Sequence, residues 1–318
     1  MNSWSILLQN SFYDIPYNAE VANASLDGAM IVDKPTGWTS HDVVAKMRRL
    51  AQTKKIGHLG TLDPLATGVL PLVIGRATRL AQFFTRDEKA YETVIYFGYS
   101  TDSHDCDGAP TSEPKEVTLD RAELESVLER FRGEFMQTPP AVSAKKIAGR
   151  PAYELARKNI AVELAPVKVR VDSLELLAVT GCRARVRIRC TAGTYVRSIA
   201  HEAGLALGCG AFLEQLRRTS SGGFTLEDAR TLDQLAALSA EGRIDDALIP
   251  AAQLLPEFPC ESVDAVTAGQ IRNGRDFRAS PFRPQSDSRY VKAVDAHGHL
   301  VAIGAAVLPN LYHPVLVL

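Results

Sequence analysis

The sequence lacks the features that mark secreted, metal-bound or membrane proteins. Its five cysteines, at positions 106, 182, 190, 209 and 260, are odd in number and widely spaced. With no C-x-x-C pair, neither a disulfide framework nor a thiolate zinc site is expected, and reduced thiols fit a cytoplasmic protein. The seven histidines include no H-E-x-x-H pair, so no metal is expected. There is no dinucleotide-binding glycine loop and no P-loop, so no cofactor is expected either. No apolar run approaches the roughly 18 residues of a membrane span. Residues 1–28 have no basic leader before a long apolar stretch and read as an extension, expected to be disordered, not as a secretory signal.

Net charge of one sign is also missing. Thirty-six basic and 37 acidic residues leave −1 over 318 residues. The distribution is uneven. Residues 46–58 carry Lys46, Arg48, Arg49, Lys54 and Lys55 with no acid, and residues 143–158 carry Lys145, Lys146, Arg150, Arg157 and Lys158 against Glu154. Residues 87–134 are rich in acids. Such segregation can build a basic, phosphate-binding face on a neutral protein, or reflect several solvated surfaces. The alternating Arg183, Arg185, Arg187 and Arg189 share one face of a strand, read as a solvated outer face.

With 46% hydrophobic and 23% charged residues, the chain can bury a large core in one large domain or two unequal ones. Strands are expected at Met30–Asp33, Val69–Ile74, Glu92–Phe97, Val167–Val179 and Arg183–Thr191. Helices are expected after caps at Ser40 and Thr118, from about Val196 to Leu207, and over Phe212–Arg218. Residues 137–150 read as a long exposed loop. Residues 241–262, with Pro250, Pro256 and Pro259, read as a linker to a small β-rich module. Ser103-x-Asp105-x-Asp107-Gly108 has the start of a calcium loop, but Pro114 stands where a bidentate Glu is needed, so an acidic turn is the simpler reading.

The informative stretch is Lys55-Ile56-Gly57-His58-Leu59-Gly60-Thr61-Leu62-Asp63-Pro64-Leu65-Ala66-Thr67-Gly68. Three glycines and a proline constrain the backbone around one carboxylate. On the residues alone an Asp-Pro turn and a catalytic carboxylate both remain open. The stretch closely resembles the catalytic motif of the TruB family of tRNA pseudouridine synthases, G-H-x-G-x-L-D-P-x-A-x-G. Asp33-Lys34-Pro35-x-Gly37, Lys89-Ala90-Tyr91 with Thr101-Asp102, Pro139-Pro140-x-x-Ser143-Ala144-x-Lys146, Gly193-Thr194-Tyr195-Val196-Arg197, and Leu216-Arg217-Arg218 resemble further family blocks in family order.

The resemblance implies an α+β pseudouridine synthase fold: a central, mostly antiparallel mixed sheet flanked by helices, plus a small β-rich PUA-like C-terminal module. The expected domains are a 1–28 extension, a catalytic domain over 29–250 with an RNA-clamping loop near 137–158, and the module over 260–318. The implied reaction converts uridine-55 in the tRNA T-loop to pseudouridine by base flipping. The N1–C1′ bond is cleaved, the base turns, and C5 joins C1′. Asp63, Tyr91 and Arg197 are implied as catalytic. His58, Tyr195, Leu216, Lys34, Lys145, Lys146, Arg150 and Arg218 are implied to bind substrate or RNA. The expected partner is the tRNA T-arm, with no cofactor, no membrane and no protein partner, the chain acting as a monomer. The alternatives are a guide-RNA-dependent synthase and a non-catalytic tRNA-binding or folding protein.

Overall fold

The larger of two units, Met30–Ile74 with Leu80–Leu248, is built on strands that alternate buried and more exposed side chains, as over Lys89–Phe97 and Arg183–Cys190, and on strands buried on both faces, as over Thr67–Ile74. A computed structural model describes residues 26–84, 88–140, 146–147, 150–151, 164–280 and 288–318. Its strands are β1 (Gly28–Lys34), β2 (Ile56–His58), β3 (Thr67–Ile74), β4 (Lys89–Phe97), β5 (Gly133–Gln137), the short pair β6 (Lys146–Ile147) and β7 (Arg150–Pro151), β8 (Val167–Thr180), β9 (Arg183–Cys190), β10 (Ala211–Ser221), β11 (Phe224–Thr225) and β12 (Arg230–Thr231). The main sheet runs β12-β1-β3-β10-β4-β9-β8-β5. The β10–β4, β4–β9, β9–β8 and β8–β5 pairs are antiparallel, while β3–β10 and β1–β12 are parallel. This is the expected α+β class with a mostly antiparallel mixed sheet.

Strand β9 shows why the pattern works. Its side chains alternate exposed and buried from Arg183 to Cys190, so Ala184, Val186 and Ile188 enter the core and the arginines face out. Helices α1 (Ser40–Leu50), α2 (Arg121–Glu129), α3 (Val196–Ala206) and α4 (Leu232–Ala240) complete the unit. Two cap assignments differ from expectation. Thr39, not Ser40, caps α1, in a capping box with Asp42. Asp120, not Thr118, caps α2.

The largest difference is β10. Phe212–Arg218 was expected as a helix and is instead a central strand. Its register shifts between Leu213 and Gln215, a bulge that adds a residue and breaks the two-residue alternation. Phe212, Leu213 and Leu216 are buried, a spacing that imitates a helical stripe.

The smaller unit comprises Ile249–Leu318 with Gly75–Arg79 and, of the described N-terminal residues, 26–29. It contains β13 (Ile249–Pro250), β14 (Cys260–Ser262), α5 (Ala265–Arg272), β15 (Phe277–Arg278), β16 (Tyr290–Val294), β17 (Leu300–Leu308) and β18 (Leu311–Val317). Its sheet is ordered β14-β16-β17-β18-β15. Val263, Ile271, Phe277, Val291, Val301 and Tyr312 form its core. Within residues 241–262, expected as a linker, the second half is packed: Leu254, Leu255 and Phe258 are buried. The buried Lys292 donates from Nζ to the Ala252 and Leu254 carbonyls at 2.7 and 2.9 Å, pinning that segment to the sheet.

Candidate active site

The turn that carries Asp63 joins β2 to β3 and is held from two sides. On one side is the β1–α1 connection. Ser40 Oγ accepts from the Leu62 N–H at 2.9 Å and donates to the Leu62 carbonyl at 3.2 Å. The Gly37 N–H donates to Pro64 O at 2.8 Å, and Lys34 Nζ donates to Pro35 O, Trp38 O and Pro64 O. Lys34 is fully buried, and burial lowers its pKa to about 8 against the opposing pull of Asp63.

On the other side is Arg218 in β10, also fully buried. Its Nε donates to Val69 O at 2.7 Å and its NH2 to Gly60 O at 3.0 Å. Gly68 makes this approach feasible. It has φ +100°, and a Cβ there would lie 2.2 Å from the Arg218 carbonyl across the β3–β10 pairing. Lys34 and Arg218 were expected to touch RNA. Their burial and their bonds to backbone carbonyls correct that: they build the turn that presents Asp63.

Arg197, in the first turn of α3, is 3% exposed and reaches Asp63 with a two-point grip. NH2 donates to Asp63 Oδ1 at 3.1 Å, and Nε lies 2.9 Å from Oδ2 as an ion pair. Behind it, NH1 donates to the Ser103 carbonyl at 2.9 Å and lies 3.5 Å from Asp105 Oδ2. Asp105 is buried. Burial raises its pKa, opposed by the Ser103 hydroxyl and by Arg197. Asp63 keeps about a third of its side chain exposed and lines the cavity.

The cavity has a volume of about 730 Å³, and His58, Asp63, Tyr91, Tyr195, Arg197 and Leu216 all line it. Tyr91 pairs across strands with Arg218. Burial pushes its phenol up to about 12, so near neutral pH it stays protonated and acts as a hydroxyl, not a phenolate. His58 ends β2 with its ring edge-on to His41, 5.6 Å between centroids. Its pKa is lowered by burial first, then by His41 and Arg218, which keeps it neutral. Tyr195 precedes α3 without a side-chain cap. The buried Gln137 fixes its backbone, accepting from Tyr195 N at 2.8 Å and donating to Tyr195 O at 3.1 Å.

Six expected site residues thus share one cavity. Lys145 lies outside the described residues, and Lys146 and Arg150 are described only through the β6–β7 backbone pairing. Ser40, Asp105 and Gln137 were not anticipated. Asp105 lay in the acidic stretch judged an ordinary turn, and only its pairing with a distant arginine reveals it.

A two-point carboxylate–guanidinium pair, a protonated phenol and an apolar wall around an open cavity suit chemistry on a planar base. Solved structures share the fold. One titled as a Cbf5–Nop10–Gar1 complex aligns with a TM-score of 0.65 at 27% identity, covering 90% of this chain and 80% of that chain. One titled as an H/ACA RNP bound to a substrate RNA containing 2'-deoxyuridine aligns with a TM-score of 0.66 at 25% identity, covering 92% and 85%. Fold and cavity define the class, the pseudouridine synthases.

A family model described as TruB family pseudouridylate synthase (N terminal domain) matches residues 48–196. One described as tRNA pseudouridylate synthase B C-terminal domain matches residues 197–256. A tRNA pseudouridine synthase B from Solibacter usitatus is 65% identical over 92% of this chain and 100% of its own length. Its counterpart from Pseudomonas fluorescens is 40% identical over 88% and 92%. The chain belongs to the TruB family of pseudouridylate synthases, and it is an enzyme of the isomerase class.

Proposed function

We propose that the enzyme converts uridine-55 in the T-loop of tRNA to pseudouridine, acting alone, as a monomer and in the cytoplasm. The observation that carries this reading is the Asp63 carboxylate, gripped by Arg197 in the cavity that Tyr91, His58 and Leu216 also line. The relatives named tRNA pseudouridine synthase B supply the substrate class. A stacked T-loop uridine must leave its stack to reach a carboxylate set in a cavity, so flipping precedes chemistry.

Arg197 holds the Asp63 carboxylate aimed during N1–C1′ cleavage. Leu216 and Tyr195 hold the detached uracil while it turns. Tyr91 stacks on the base, and its neutral hydroxyl helps move the C5 proton after C5–C1′ bond formation. His58, neutral and next to the turn, supports the opened loop. Lys145, Lys146 and Arg150 supply phosphate contacts, and RNA of this shape is bound mainly through backbone and stacking.

The likeness to structures titled as a Cbf5–Nop10–Gar1 complex and as an H/ACA RNP keeps a second reading, a guide-dependent synthase. One experiment separates them: mapping pseudouridine in unmodified tRNA incubated with the purified protein alone. A single modified position, 55, is expected. Modification that requires an added RNA or protein would favour the second reading, and no modification under either condition would favour a tRNA-binding protein.

A further inference from the structure

Two histidines that the isomerisation does not use stand on the two elements joined by Arg197. His104 sits between Ser103 and Asp105, the residues that Arg197 touches in the 101–108 turn. His201 lies one turn after Arg197 on α3. Their rings stack face to face, with 3.7 Å between centroids and 3° between planes. The Nδ1 atom of each is buried, with no hydrogen-bond partner among the described residues. His104 also holds φ +62°, in the left-handed region that a non-glycine residue enters only when its surroundings hold it there. The His104 carbonyl accepts from Leu213 N–H at 3.0 Å, so the same residue ties the turn to β10.

We propose that the stacked His104–His201 pair is a positioning element for the reaction: it clamps the 101–108 turn to α3, holds Ser103 and Asp105 against Arg197, and opens when a ring is protonated. This inference rests on the proposed function of the cavity. Three convergent metal ligands are not found among the described residues, which leaves ring against ring as the contact to explain.

The surroundings favour neutral rings. Arg197 and Glu202 are the charged groups of α3 near the pair, and Asp102 and Asp105 those of the turn. Arg130, at the end of α2, acts on Glu202. On β10, Glu214 is engaged by Arg183, Arg217 by Asp33, and Arg218 by backbone carbonyls. A proton on either ring would place a buried charged N–H where Nδ1 has no acceptor. Burial first, then His201 and Arg197, lower His104 to about 4, while Asp102 acts weakly the other way. Burial lowers His201. The sign follows: a depressed histidine favours the closed stack above the ordinary value of about 6.5, and the closed form loses up to about tenfold per pH unit as pH falls toward 4.

The test measures single-turnover rate and KM on a tRNA transcript from pH 5 to 8. His104→Asn keeps a residue tolerant of the left-handed conformation but removes the ring. Its rate at pH 7.5 should fall about tenfold while KM stays within about twofold, because the lost contact acts on the reacting carboxylate and not on RNA binding. His201→Phe keeps a flat stacking partner that cannot take a proton. It should retain the wild-type rate at pH 7.5 and show a shallower acid limb displaced to lower pH. A wild-type rate in His104→Asn, or an unchanged acid limb in His201→Phe, overturns the proposal. If His104→Asn fails to fold, the His201→Phe profile decides alone. Wild-type protein inactive on every tRNA would overturn the proposed function and this inference with it, whereas active wild type with unaltered variants sinks only the clamp.

Discussion

Arg187 and Arg197 stand on consecutive elements, β9 and α3, and form their ion pairs under opposite conditions. Arg187 is half exposed. It meets Glu92 at 2.8 Å and Glu175 at 3.3 Å, both on neighbouring strands and both well exposed. Arg183 and Arg189 repeat the arrangement with Glu214 and Glu88. Each pair is screened by water and salt, so the outer face of the sheet is close to neutral and contributes little to stability. Arg197 has no such screening. Its guanidinium is buried, and its interactions are divided between Asp63 in front and Ser103 and Asp105 behind. The same residue type is interchangeable in one place and specific in the other, and burial makes the difference.

The largest effect that sharpens this contrast is expected from Asp63→Asn. It should eliminate turnover yet leave tRNA affinity within about tenfold, or about 1.4 kcal/mol, in a filter-binding titration. Arg197→Lys comes next. A lysine keeps the charge but not the fork, so single-turnover rate should fall about a hundredfold with little change in affinity. Arg218→Met removes the donors to Gly60 O and Val69 O. It should lower unfolding free energy by about 2 kcal/mol in urea denaturation, because the buried Val69 carbonyl loses its partner and the part-buried Gly60 carbonyl loses its own. The smallest effect belongs to Arg187→Ala, with stability within about 0.5 kcal/mol and an unchanged rate. A Arg187→Ala variant as damaged as Arg197→Lys would break the comparison.

Much of the fold was legible because β4 and β9 alternate cleanly and α3 follows the turn at Gly193. Strand β10 was not, since the bulge at Glu214 disguises its period. The cavity was legible where a local motif supplies its lining, at Asp63, Tyr91 and Arg197. It was obscure where a residue works through a partner distant in sequence. Nothing local shows that Lys34 and Arg218 face inward to backbone carbonyls, that Ser40 leaves the cap position to hold Leu62, or that one aspartate of an acidic turn backs Arg197. Those roles exist only once β1, β3 and β10 lie side by side.

The central claim is that the carboxylate gripped by Arg197 performs the chemistry. The most direct measurement is tritium release from 5-tritiated uridine tRNA under single-turnover conditions, with Asp63→Asn at saturating concentration beside wild type. Wild type should release tritium from one uridine per tRNA, and Asp63→Asn should release none while still retaining tRNA on a filter. Release by Asp63→Asn at more than about one per cent of the wild-type rate, a barrier difference under about 2.7 kcal/mol, would contradict the assignment.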